Sequence, residues 1–146
     1  MKRGSRGFSL MELMVVLVVV GIIAAIAVSN YVSMRARAQE ASTKSNMHTF
    51  QIAAEDYGVR YTGVYATDAS QAAALLTQGG STFYNPFNRA TGNNQAWVDQ
   101  PTWASTLSTG STLAGIVAYG DSAGTKYQVA GRGVAGDLPL ILTSGR

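Results

Sequence analysis

The sequence predicts an α+β protein: one long N-terminal helix, hydrophobic in its first half and amphipathic in its second, packed on a small antiparallel β-sheet head. Three observations carry that expectation. An apolar run extends from Phe8 to Val28 with a single charge inside it, Glu12. Proline is absent before Pro86, and no glycine lies between Ser29 and Tyr57, so nothing interrupts a helix through that stretch. Towards the C-terminus, short β-rich runs separated by turn residues replace the helical spacing.

The apolar run comes first. Its twenty-one residues, 8–28, would span roughly 30 Å as a helix at about 1.5 Å per residue, the thickness of a bilayer core. Three bases, Lys2, Arg3 and Arg6, precede it. Ala25-Ile26-Ala27 also has the small-residue spacing of an ordinary secretory cleavage site, which would make the rest a secreted or anchored binding module. From residue 29 to 57 the helix becomes amphipathic. Met47, Phe50, Ala54 and Tyr57 recur at helical spacing and should pack the head, while Lys44, Glu55 and Arg60 lie off that line. Gly58 is the expected stop, so the helix covers 8–57 and measures about 75 Å.

Residues 58–112 are rich in Gly, Ser, Thr and Asn and read mainly as connecting loop. One short helix, Ala69–Thr77, is expected there, capped by Asp68 and Gln71 and ended by Gly79-Gly80. The runs at 115–120, 126–131 and 138–143, with a turn at 121–124, predict a three-stranded antiparallel meander whose apolar face receives the stripe from Met47 to Tyr57.

Composition narrows the function. The 146 residues hold 11 Lys plus Arg against 8 Asp plus Glu, a net charge of +3. The three bases before Phe8 account for all of that excess, which argues against a nucleic-acid groove in the remainder. With no cysteine and one histidine, His48, disulfides, thiolate chemistry and Cys-bearing zinc sites are excluded, and metal clusters are not expected. Gly131 to Gly136 match the spacing G-x-G-x-x-G. A strand-like run with Pro139 follows, however, where a nucleotide-binding turn needs a helix. His48 reads as a surface or packing residue. The acids Asp56, Asp68, Asp99, Asp121 and Asp137 are scattered singly, without the density of a calcium loop. Phe50, Tyr57, Tyr61 and Tyr65 read as core packing, with a chain of rings in a fibre as the alternative. No clustered catalytic site is evident, and no cofactor is implied. Glu12 stands apart: an intramembrane acid costs about 2.5–3.5 kcal/mol at a helix centre and usually has a partner, although its place near the helix end lowers that cost by snorkelling.

At these residues the chain resembles a known family. "RG" followed by "FSLMELMVVLVVVGIIAAIAV" is similar to the class III signal and N-terminal helix of type IV pilins and of the pseudopilins of type II secretion systems. The likeness is close over residues 1–57. It is looser in the head, through "NPF" at 85–87 and the Y-x-V-x-G-x-G run from Tyr127 to Gly133. The resemblance implies a lollipop-shaped subunit with a leader (1–7), a transmembrane and filament-core helix (8–28), an amphipathic continuation (29–57) and a globular head (58–146). It implies that a prepilin peptidase cuts between Gly7 and Phe8 and methylates the Phe8 amine, and that Glu12 pairs with the Phe8 amine of a neighbouring subunit. It further implies a single inner-membrane span before assembly, then a helical homo-oligomeric filament built by an assembly platform and an ATPase motor. That filament would be a cell-surface pilus serving adhesion, motility or DNA uptake. In the alternative, a major pseudopilin, it would be a short periplasmic fibre. Such a subunit is no enzyme.

Two departures from the family pattern matter. Ser29 stands where many members have proline, so the segment between Gly21 and Ser29, the family's flexible stretch, should stay more helical. The cysteine pair common in the C-terminal region is absent, so packing and backbone pairing must hold the last strand.

Overall fold

The computed structural model describes residues 7–76, 83–100, 103 and 108–144. The chain divides into two compact units, residues 1–36 and 37–146. Helix α1 (Leu10–Arg60) contributes to both.

In the first unit the helix starts at Leu10, two residues later than expected, because Ser9 caps it. The Met11 amide donates to Ser9 Oγ at 3.3 Å, and the Ser9 amide donates to Glu12 Oε2 at 3.0 Å. This is the reciprocal arrangement of a capping box, which satisfies donors that the first helical turn leaves free. At Ser29 the helix is unbroken. The Ser29 hydroxyl donates to the Ile26 carbonyl at 3.1 Å, a local bond that a proline would not offer.

In the second unit α1 ends at Arg60 instead of stopping at Gly58. The chain leaves the helix through Thr62, whose φ is +56°, and Gly63, whose amide reaches back to the Gly58 carbonyl at 2.7 Å. That is the long backbone bond of a Schellman end, with Thr62 in the left-handed position. Gly58 is required for a different reason: a Cβ there would lie 2.9 Å from the Tyr65 ring.

Helix α2 (Ala69–Leu76) begins where its cap predicts. Asp68 Oδ1 accepts the Ser70 amide at 2.6 Å, and Gln71 Oε1 accepts the Thr67 amide at 3.0 Å. The expected end at Thr77 and Gly79-Gly80 lies outside the described residues.

Four strands follow: β1 (Trp97–Gln100), β2 (Val117–Asp121), β3 (Tyr127–Arg132) and β4 (Asp137–Thr143), in the order β1-β2-β3-β4. The β2-β3-β4 meander is antiparallel, as expected. The sheet as a whole is mixed, because β1, in the stretch read as loop, pairs parallel with β2 from Trp97 opposite Val117 to Gln100 opposite Gly120. Its sequence, Trp-Val-Asp-Gln, is too short and too polar to show a strand period. Pairing with the fully buried β2 forms it.

One face of the sheet packs on the helices. Met47, Phe50, Ala53 and Ala54 of α1 and Ala69, Ala72, Ala73 and Leu76 of α2 meet Val117, Tyr119, Tyr127, Val129 and Leu138. Gly131, on the same face of β3, allows α1 its close approach, since a Cβ there would fall 2.7 Å from Met47 Sδ. Ala118 and Ala130 point the other way and pack with Val98.

Candidate functional site at the N-terminal helix

Gly7, Phe8 and Ser9 precede the first helical residue, so the Gly7–Phe8 bond lies in non-helical chain. Among the described residues a Cβ on Gly7 would meet nothing within 4 Å, so packing against them does not account for a glycine there. Phe8 is 79% exposed, and the large apolar side chains that follow, through Val32, all remain at least 49% exposed. By length and composition the helix can cross a membrane. A helix apolar on every side is the kind that lipid or protein buries.

Glu12 sits in the first turn of this helix, where the positive end of the helix dipole favours an anion. Its carboxylate accepts the Ser9 amide and lies beside Phe8, Met11, Val15 and Val16 in an open depression of roughly 590 Å³. The acid in the apolar run therefore has a partner within its own chain. The Ser-x-x-Glu spacing of Ser9 and Glu12 was the signal for it in the sequence. Gly21, in the apolar part of α1, has open space around it.

The residues expected to pack the head fall at the helix–sheet contact. Met47, Phe50 and Ala54 are fully buried, and Tyr57 is partly buried against the same cluster. Phe50 lies 5.7 Å from the Tyr119 ring and 5.9 Å from that of Phe83. Tyr127, 5.8 Å from Tyr119, donates its hydroxyl to Glu55 Oε1 at 2.6 Å. Burial first, and then this carboxylate, push the Tyr127 phenol well above its ordinary range. Tyr65 donates to the other oxygen of Glu55 at 3.3 Å. Glu55, which lies off the apolar stripe, thus holds Tyr127 and Tyr65 by their hydroxyls.

The remaining motifs have structural roles. Of the glycines of "GRGVAG", Gly131 lies in β3 and Gly133 and Gly136 in its connection to β4, and among the described residues a strand, not a helix, follows them. Gly131 admits Met47, and Gly133 lies against Glu40, whose Oε1 accepts the Val134 amide at 3.1 Å. Within "NPF", Asn85 is fully buried. Its Nδ2 donates to the carbonyls of Gln95 and Ala114, each at 2.9 Å, and its Oδ1 accepts the Phe87 amide. His48 is exposed. Asp56 pairs with Arg60 at 2.9 Å, Asp99 accepts the Ala69 amide at 2.7 Å, and Asp121 accepts the Gly124 amide at 3.3 Å. Asp137 is bound by Thr109, Ser108 and Arg132. Among the described residues no group of three or more His, Cys, Asp or Glu is arranged to hold a metal ion.

Comparison with known proteins bears on the same segment. Residues 2–28 match the family described as the prokaryotic N-terminal methylation motif. Over 53 residues the chain is 38% identical to the type IV major pilin protein PilA of Myxococcus xanthus (strain DK1622), a stretch covering 36% of this chain and 24% of that one. The shared part is thus about a quarter of the relative's length. No solved structure matches. The methylation motif and the shared stretch, on a chain whose long helix packs against a small sheet, support the type IV pilin family for this protein.

Proposed function

We propose that this protein is the structural subunit of a type IV pilus filament, cut between Gly7 and Phe8, methylated at the Phe8 amine, and polymerised from the membrane with its apolar helices in the fibre core. The observation that carries this reading is an exposed apolar helix within the stretch, residues 2–28, that matches the N-terminal methylation motif. Burial of apolar surface contributes roughly 25 cal/mol per Å², so packing such helices together would supply most of the cohesion of a fibre. Phe8 and Glu12 would set its register. Cleavage creates a cationic amine at Phe8, and in a dry core a misregistered neighbour would leave that amine or the Glu12 carboxylate unpaired at a cost of several kcal/mol. Before cleavage the same carboxylate is held by the Ser9 amide, which lowers the cost of carrying it into a bilayer.

A prepilin peptidase, an assembly platform and an ATPase motor are the partners this role requires. The open space at Gly7 fits a glycine retained for an external reader of the bond. A major pseudopilin in a short periplasmic fibre would use the same N-terminal logic. The pilus is favoured because the matched relative is named a major pilin. Mass spectrometry of the mature N-terminus tests the processing: methylated Phe8 is expected, and a chain beginning at Val28 would refute it. Electron microscopy of sheared surface material tests the assembly, with long filaments containing this chain as the expected result.

A further inference from the structure

Beyond the apolar run, one stripe of α1 within the first unit has a different chemistry. Val28, Tyr31, Val32 and Arg35 follow at the three- and four-residue spacings that align side chains on one helix face. Val28, Tyr31 and Val32 are 61%, 67% and 60% exposed, and Arg35 is also exposed. Among the described residues the Arg35 guanidinium has neither a hydrogen-bond nor an ion-pair partner.

We propose that Tyr31 and Arg35 form a lipid-binding anchor that sets the depth of the membrane-spanning helix, with Tyr31 at the edge of the hydrocarbon and Arg35 on the phosphates of the leaflet where the helix emerges. This rests on the reading of residues 8–28 as a membrane span. The spacing supports it. A core about 30 Å thick is filled by residues 8–28, and the headgroup layers add about 5–8 Å on each side. At about 1.5 Å per residue, Tyr31 lies about 4–5 Å beyond Val28, and Arg35 about 10 Å beyond it. Those are the boundary where tyrosine rings collect and the level that a flexible guanidinium reaches by bending back. Charge complementarity commits the occupant. A phosphate is anionic and accepts the paired donors of an arginine guanidinium. The residues between also leave the helix free to slide: Tyr31, Val32 and Met34 are apolar enough to sink into hydrocarbon, so a charge is needed to stop them. Without Arg35 the next base in the sequence is Arg37, and two residues of helix correspond to a slip of about 3 Å.

The test uses the full chain, which has no native cysteine, reconstituted in phosphatidylcholine vesicles with a nitroxide on a cysteine introduced at Val28. Immersion depth is read from the ratio of oxygen to nickel-chelate accessibility. The label should move about 3 Å deeper in Arg35→Gln and stay in place in Arg35→Lys, which restores the charge. Equal depths in the native chain and Arg35→Gln would overturn the anchor. A second label, at Leu17, separates the two readings: contact with the aqueous chelate there would refute the membrane span itself, whereas a buried Leu17 label with an unmoved Val28 label would refute the anchor alone.

Discussion

Replacement of Gly131 by alanine isolates the contact on which the helix–sheet packing of the head depends. The added Cβ would lie 2.7 Å from Met47 Sδ, 3.2 Å from Met47 Cγ and 3.2 Å from Thr43 Cγ2. Optimal contacts between such atoms are about 3.5–4.0 Å, so the closest one is short by about 1 Å. Met47 and Thr43 are both at 0% exposure and have no solvent to swing into. Overpacking of this kind costs about 1–3 kcal/mol. Against it stands the gain of removing a strand glycine, about 0.5–1 kcal/mol. The overlap wins, and Gly131→Ala should destabilise by about 1–2 kcal/mol. Met47→Ala should cost about 2–5 kcal/mol alone, through the cavity it leaves. In that background the Gly131 methyl enters vacated space and only the gain of removing a strand glycine remains, so the substitution should be neutral or slightly stabilising, a coupling of about 1 kcal/mol or more. Urea unfolding of the full chain in maltoside micelles, followed by the near-ultraviolet circular dichroism of the buried tyrosines, measures all four corners of the cycle. Additivity within about 0.5 kcal/mol would refute the claim that Gly131 is there for Met47.

Further outcomes follow from the same geometry. Glu12→Ala should leave cleavage possible and impair fibre assembly, and normal filaments from that variant in sheared material would refute the pairing role. Gly7→Val should block processing, visible as precursor mass on the intact chain. Fully cleaved protein would count against recognition of that glycine. Tyr119→Phe removes the 2.8 Å bond from a buried hydroxyl to the Ala66 carbonyl and should cost about 1–3 kcal/mol in the urea assay, because the acceptor is left unsatisfied. Burial opposes the charge of Asp137, but bonds from the Thr109 and Ser108 hydroxyls and the Thr109 amide, with Arg132 beside it, outweigh that and hold its carboxyl below the usual range. Because the folded value is depressed, the stability it contributes is present above the unfolded value of about 3.9 and is lost as pH falls through the folded one. Asp137→Asn should therefore be less stable than the native chain at neutral pH, with the difference shrinking below about pH 4 in acid titrations followed by circular dichroism.

Features encoded by neighbours along the chain were readable in advance. The unbroken helix through Ser29, the cap of α2 at Asp68 and Gln71, and the β-rich runs of β2, β3 and β4 each depend on residues within a few positions of one another, where propensity and capping chemistry act. The Ser9–Glu12 capping box belongs to this class, since its Ser-x-x-Glu spacing is present in the sequence. Features that depend on distant residues were not readable. β1 exists because β2 offers a parallel edge twenty residues downstream in register, and nothing in Trp-Val-Asp-Gln announces it. Glu55 holds Tyr127 across a sequence separation of 72 residues, a distance at which no local pattern operates. Gly131 and Gly133 of "GRGVAG" lie against Met47 and Glu40 on the opposite helix.

The sequence by itself determined that this chain carries an apolar helix of membrane length with an acid in its first turn, because hydropathy, length and capping are local properties of consecutive residues. Only the tertiary structure decided that the sheet is mixed, that Glu55 anchors the tyrosines of the core, and that Gly131 and Gly133 lie against Met47 and Glu40. Those outcomes require surfaces brought together from distant parts of the chain.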